Sequence, residues 1–137
     1  MFGALDLDGQ LSCMIASRKR SKEFLEFLRW LVHSVYPDSE RIYLFMDNCS
    51  IHKTKAVQAF LRDHRHCVTV IWNAPYAPNL NEIELVWGQL KRAFLNSHYF
   101  STVENLEEAA LRAVREHNKS ARKRNERPVF HSLRGAA

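Results

Sequence analysis

The 137-residue sequence has no uncharged apolar run near the roughly 18 residues that a membrane-spanning helix needs. Its opening, Met1-Phe2-Gly3-Ala4-Leu5-Asp6, lacks the basic region and long apolar stretch of a secretory leader. It has only three cysteines, Cys13, Cys49 and Cys67, an odd number without close metal-ligand spacing. That argues against a disulfide scaffold and fits a reduced, cytoplasmic context. A zinc site built on His64, His66 and Cys67 lacks a fourth ligand at finger-like spacing. With four glycines in all, the chain has no glycine-rich phosphate loop, and it has neither a nucleophile elbow nor a His-Glu-x-x-His helix. No internal repeat and no linker precede residue 118.

What is present is an ordinary globular composition, 46% apolar and 26% charged, at a length that suits one domain with a real core. The net charge of +5 is unevenly placed. Residues 1–117 carry 14 Lys/Arg and 14 Asp/Glu, so they are neutral. Residues 118–137 carry Lys119, Arg122, Lys123, Arg124, Arg127 and Arg134 against Glu126 alone. A body over 1–118 followed by a basic tail over 119–137 points to a phosphate-rich partner. Charge patterning alone leaves a solubilising, poorly ordered terminus equally open.

Two apolar runs, 2–7 and 10–16, flank Asp8-Gly9, a strong hairpin signal. A helix opens near Ser21 and buries Phe24, Leu25, Phe27, Leu28, Leu31, Val32 and Val35 at helical spacing. The strand Ile42-Tyr43-Leu44-Phe45-Met46 is apolar on both faces, which suits a central strand covered on both sides. A helix over about 54–64 and a second buried strand over 68–72 follow, so the two strands pair in parallel through a crossover. Two prolines interrupt 73–80. A helix then runs from Asn81 or Glu82 to about Asn96, and a capping box, Ser101-Thr102-Val103-Glu104, starts the last one, with Leu106, Ala109, Ala110, Ala113 and Val114 inward. The order of elements predicts an α/β domain.

In an open α/β sheet, working polar groups gather outside the C-terminal ends of the strands. Asp47 stands at such an end, followed by Asn48, Ser50 and His52. Glu84 arrives in the first turn of a later helix, and Lys91, seven residues on, shares its face with Arg92 alongside. Two carboxylates from separate segments suit Mg²⁺ or Mn²⁺, and paired ions of this kind drive in-line displacement at phosphorus. The plainer alternatives are a turn pair at Asp47-Asn48 and a helix cap at Asn81. Trp87 reads as core, and Asp6 and Asp8 as polar positions of the hairpin.

The blocks Asp47-Asn48-Cys49-Ser50-Ile51-His52-Lys53, Ala74-Pro75-Tyr76-Ala77-Pro78-Asn79-Leu80-Asn81-Glu82-Ile83-Glu84-Leu85-Val86-Trp87 and Leu90-Lys91-Arg92 narrow this choice. In content, order and separation they resemble the DDE catalytic domain of mariner-superfamily transposases, in particular the bacterial insertion-sequence branch. The resemblance runs from about Phe2 to Lys119. It implies a ribonuclease-H-like mixed sheet with flanking helices, and metal-dependent cleavage and transfer of DNA strands. It matches Asp47 to the second catalytic Asp and Glu84 to the third acid, both as ligands of Mg²⁺ or Mn²⁺, two ions in a complete site. Asn48, His52 and Asn81 fall at supporting positions. Glu82 stands where the family usually has proline, and an acid still suits a helix N-terminus.

The larger departure is at the start. In the family the first catalytic Asp lies on a central strand before the hairpin, and this sequence opens on the hairpin. The resemblance therefore implies the C-terminal part of a transposase catalytic domain: a second reading frame, a frameshift product or a decayed copy. The chain alone is then expected to be inactive, with the missing strand supplied by an upstream fragment or a second copy. Expected partners are DNA, as transposon ends and target, in the bacterial cytoplasm and nucleoid, with no membrane. Expected DNA contacts are Lys91, Arg92, Lys119, Arg122, Lys123, Arg124 and Arg127. The alternative is a non-catalytic remnant that binds nucleic acid or a partner.

Overall fold

The structure, a computed structural model, describes residues 1–74, 82–96 and 98–125. The segment 75–80, Asn81 and the stretch 126–137 with Arg127 lie outside the described residues.

The hairpin forms as the sequence predicts, from β1 (Phe2–Leu5) and β2 (Leu11–Met14), in register from Phe2↔Met14 to Leu5↔Leu11. Gly9 closes its turn at φ 73°, a left-handed conformation that costs a glycine little. Asp6 pins the turn, its Oδ1 accepting the Gln10 N–H at 2.8 Å. Helix α1 (Ser21–Trp30) follows and continues into a π-helical turn, Leu31–Val35. Strands β3 (Ile42–Met46) and β4 (Val68–Trp72) pair in parallel, Ile42↔Val68 to Met46↔Trp72, with α2 (Lys55–Asp63) on the crossover. Helix α3 (Glu82–Leu90) runs into a second π-helical turn, Lys91–Leu95, and α4 (Val103–Asn125) completes the described chain.

The hairpin separates two cores, because alternate side chains leave a strand on opposite faces. Phe2, Ala4 and Met14 join α1, α2, β3 and β4 around Phe24, Phe27, Leu28, Val57 and Val68. Leu5, Leu11 and Cys13 join α3 and α4 around Val86, Leu90, Ala113 and Val114. Burial of Cys13 pushes its thiol pKa up, which suits a packed, unreactive side chain.

Among the described residues the architecture is mixed α/β, with two small sheets and four α-helices, consistent with part of a ribonuclease-H-like domain. No described strand joins β1 to β3, so each keeps one edge without a strand partner among the described residues. The backbone groups facing these edges follow from the ladders. Asn118 takes both the N–H and the C=O of Leu11 on the outer side of β2, so Leu5↔Leu11 is a non-hydrogen-bonded pair. Alternation then turns the peptide groups of Gly3 and Leu5 outward from β1. The Ile42 N–H bonds Cys67 and the Met46 C=O accepts from Asn73, which leaves those of Tyr43 and Phe45 at the free edge of β3.

Three expectations are corrected. Strand β3 is not covered on both faces: Tyr43 is 59% and Phe45 66% exposed, because α3 and α4 pack on the hairpin. The α4 cap is Thr102, whose Oγ1 accepts the Asn105 N–H at 3.2 Å, while Asn105 Nδ2 donates to Ser101 Oγ at 2.9 Å. A competent cap residue one position later, with Asn at the third helical position, displaces the Ser101–Glu104 pair. Leu106 is exposed, and the inner face of α4 lies further on at Ala113, Val114 and Ala121.

Helix α4 also crosses residues 118 and 119 without a break, so Lys119, Arg122, Lys123 and Arg124 are helical. Asn118 holds Leu11 with bonds of 2.7 and 2.9 Å, Asn125 Nδ2 donates to Asp8 O at 2.7 Å, and Arg122 Nε donates to Gln10 Oε1 at 3.1 Å. No helix among the described residues is long and apolar enough to cross a membrane.

Candidate active site

Asp47 follows the last residue of β3, where the chain leaves the sheet. Its Oδ1 accepts the Cys49 N–H at 3.0 Å, an Asp-led turn that fixes the carboxylate near the strand end. His52, on the 3₁₀ turn Ser50–Lys53, places Nδ1 2.9 Å from the same oxygen. The His52 side chain is 13% exposed and that of Asp47 52%. Across α1, the Phe24 ring packs on the His52 imidazole at 4.1 Å between centroids. The core thus orients Phe24, Phe24 holds His52, and His52 holds one oxygen of Asp47. The other oxygen has no hydrogen-bond partner among the described residues.

Asn48 ties this turn to the neighbouring strand. Its Nδ2 donates to the Asn73 carbonyl at 2.7 Å, and its Oδ1 accepts from Lys53 Nζ at 2.6 Å. Lys53 Nζ stands 5.2 Å from the ring centroid of Trp72, the last residue of β4. The pairing Met46↔Trp72 puts the two strand ends side by side. Asp47, Asn48, His52, Lys53, Trp72 and Asn73 therefore share one sheet edge.

Glu84 stands exposed in the first turn of α3, beside Glu82. Its helix is anchored through Ile83, Val86, Trp87 and Leu90 in the second core. Among the described residues no three His, Cys, Asp or Glu side chains form a group that could hold an ion. The geometry gives the Asp47–His52 pair, with Glu84 carried on its own element. Lys91 and Arg92 are exposed on the turn after α3. Arg115, Lys119, Arg122 and Lys123 line an open groove on α4. That groove lies at the turn end of the hairpin, where His117 Nε2 meets Gly9 O at 2.9 Å. The opposite end of the hairpin carries Phe2, which packs on Phe24 and so on the Asp47 side.

Sequence reasoning gave no site role to Phe24, Lys53, Trp72 or Asn73. Phe24 read as core, and the partners of the other three become visible only once β3 and β4 are in register. Lys53 did carry a signal, being the last residue of the Asp47 block.

As oxygen donors, Asp47 and Glu84 fit Mg²⁺ or Mn²⁺. Both reach solvent, and Asp47 is pre-oriented with an oxygen to spare. The sequence profile described as "DDE superfamily endonuclease" matches residues 1–107. The chain belongs to the DDE superfamily endonucleases. A relative described as "Insertion element IS630 uncharacterized 39 kDa protein", from Shigella sonnei, is 30% identical over 98 residues. That match covers 72% of this chain and 28% of the relative, so the chain spans under a third of the insertion-element protein it resembles. DDE superfamily membership and an insertion-element relative together agree with a transposase domain of the mariner superfamily.

Proposed function

We propose that this DDE chain is part of the catalytic domain of a DNA transposase, which cleaves and transfers DNA strands with divalent metal. The observation that carries the reading is the Asp47 carboxylate at the end of β3, with one oxygen held by Cys49 and His52 and the other without a hydrogen-bond partner among the described residues. Asp47 and Glu84 are the residues that would hold Mg²⁺ or Mn²⁺, whose chemistry is to activate the attacking oxygen and neutralise charge at phosphorus. His52 and Asn48 keep Asp47 oriented, and Asn81 is assigned a supporting role by its place in the family motif. Lys91 and Arg92 take phosphates near Glu84. Lys119, Arg122, Lys123 and Arg124 take duplex phosphates remote from Asp47, and Arg127 adds a further phosphate contact, with DNA ends and target as the partners.

The same reading makes the chain incomplete as a catalyst. The edges of β1 and β3 that have no strand partner among the described residues offer the peptide groups of Gly3, Leu5, Tyr43 and Phe45 to one further strand. That strand, from a segment encoded upstream of Met1 or from a second copy, brings the first catalytic Asp. The alternative, a non-catalytic nucleic-acid-binding remnant, draws on the α4 cations, which stand at the other end of the hairpin from Asp47. One assay separates these: nicking of supercoiled DNA in Mg²⁺ or Mn²⁺, by the chain alone and joined to the upstream segment. The expected result is no nicking by the chain alone, and nicking by the joined form that Asp47→Asn abolishes. Robust nicking by the chain alone would refute incompleteness. Nicking indifferent to Asp47→Asn would refute the site, and none by the joined form would favour the remnant.

A further inference from the structure

The densest run of positive charge in the described residues is not on α4. Arg18, Lys19, Arg20 and Lys22 put four cations in five positions between β2 and α1. All four are exposed, and none has a carboxylate partner among the described residues. The net charge of the body conceals them, because acids elsewhere in residues 1–117 balance them in number. Screening acts over about 8–10 Å at ordinary salt, so distant acids do not cancel this local field.

The run is placed against the Asp47 edge. Arg20 immediately precedes α1, and Phe24, one turn further on, packs on His52 at 4.1 Å. His52 is 2.9 Å from Asp47. Another cation, Lys53, follows His52 on the same 3₁₀ turn, where it is fixed by Asn48 at 2.6 Å and lies over the exposed indole of Trp72. Through these contacts the edge gathers the end of the cation run, His52, Asp47, Lys53 and Trp72. An acidic centre repels a phosphodiester, and cations at the same edge offset that repulsion. An exposed indole offers a π-face to a base without demanding its identity.

We propose that the Arg18–Lys22 run and the Lys53–Trp72 pair form one track for an unpaired DNA strand across the Asp47 edge, the cations taking phosphates and Trp72 stacking a base. The proposal rests on the reading of Asp47 as the DNA-cleaving centre and deepens it. It makes the single strand the ligand of this edge, as distinct from the duplex assigned to the α4 groove. Lys53 already lies on the indole. A base that stacks there displaces it, and the freed ammonium turns to the adjoining phosphate.

The test is fluorescence-anisotropy binding of a labelled 20-nucleotide single strand and of a duplex, in EDTA, over a salt series. Variants are Arg18→Ala/Lys19→Ala/Arg20→Ala, Trp72→Ala, Trp72→Phe and Lys119→Ala/Lys123→Ala, each checked for an unchanged circular dichroism spectrum. Single-strand affinity falls with salt at a slope of about −0.7 per phosphate contact, so the triple variant should shallow that slope by about 2. Trp72→Ala should weaken single-strand binding about 5- to 100-fold with the slope unchanged, and Trp72→Phe should restore most of it. The α4 variant should weaken duplex binding and leave the single strand alone. Unchanged single-strand slope in the triple variant, or equal affinity for Trp72→Ala and the parent, would overturn the track. So would single-strand binding that depends on Lys119 and Lys123 instead. Binding is read without metal or cleavage, so a negative result here leaves the Asp47 assignment standing, and a failure of cleavage leaves the track standing.

Discussion

Replacing Asn118 by alanine should be among the costliest single changes on α4. Its side chain acts as a short substitute strand, accepting the Leu11 N–H at 2.7 Å and donating to the Leu11 C=O at 2.9 Å. Leu11 is 2% exposed, so water replaces these bonds poorly once they are lost. A buried backbone group left without a partner costs about 1–3 kcal/mol. Two such groups, beside a helix that lets in some water, give about 2–4 kcal/mol. That is a large part of the ~5–15 kcal/mol that holds a typical domain. For a chain of this size it corresponds to a fall in Tm of roughly 3–5 °C per kcal/mol. Asn118→Asp keeps the acceptor and loses the donor, so its cost should lie between alanine and the parent. Urea unfolding followed by circular dichroism measures all three, with the m-value as a check on two-state behaviour. A cost below about 0.5 kcal/mol for Asn118→Ala, the level of an ordinary surface change, would refute the clamp of α4 on β2.

Other outcomes follow from the same packing. Gly3→Ala sets a Cβ against the Trp87 ring, 2.8 Å from Cη2, and should cost about 1–3 kcal/mol by overpacking, read as a drop in the urea midpoint. Thr102→Ala removes the α4 cap and should cost about 1 kcal/mol in the same assay. His52→Ala releases the Asp47 carboxylate, and loss of such an orienting partner should weaken Mn²⁺ binding about 10- to 100-fold by calorimetry. The Tyr36 phenol, held in its neutral form by burial and then by the Asp6 charge, has its pKa raised above 10.0. Its contribution to stability is therefore complete below pH 10 and lost as pH rises through the folded-state value. Tyr36→Phe should flatten the alkaline fall in stability, and an unchanged fall would move its origin elsewhere.

Much of the fold was legible because it is written in local signals. Asp8-Gly9 between apolar runs marks the hairpin, and Ile42–Met46 and Val68–Trp72 have as strands the bounds their apolar runs suggest. The covering of β3 was not legible. Apolarity on both faces shows that a strand tolerates burial, and the cover comes from wherever α3 and α4 find their own core, here the hairpin. The extent of α4 was hidden for a related reason. Lys119, Arg122, Lys123 and Arg124 read as a charged tail, whereas Asn118 and Asn125 reach from the same helix to the hairpin backbone. No period or propensity reports a contact 107 residues away in sequence. At the site, the turn residues Asp47, Asn48 and His52 stood out by type and spacing. The partners that orient them, Phe24 and Asn73, belong to other elements and emerge only from the register and the packing.

On the proposed reading, Asp47 with Glu84 marks a metal-binding edge of a DNA-cleaving domain. Paramagnetic broadening by Mn²⁺ tests it directly on the isotope-labelled chain. Ion binding at this edge should broaden the amide signals of Asp47, Asn48, Cys49 and Glu84 first, since carboxylates that share ions lie within about 4–8 Å of one another. Asp47→Asn should abolish that pattern while leaving the rest of the spectrum in place. Broadening centred away from β3, or the same pattern in Asp47→Asn, would contradict the account.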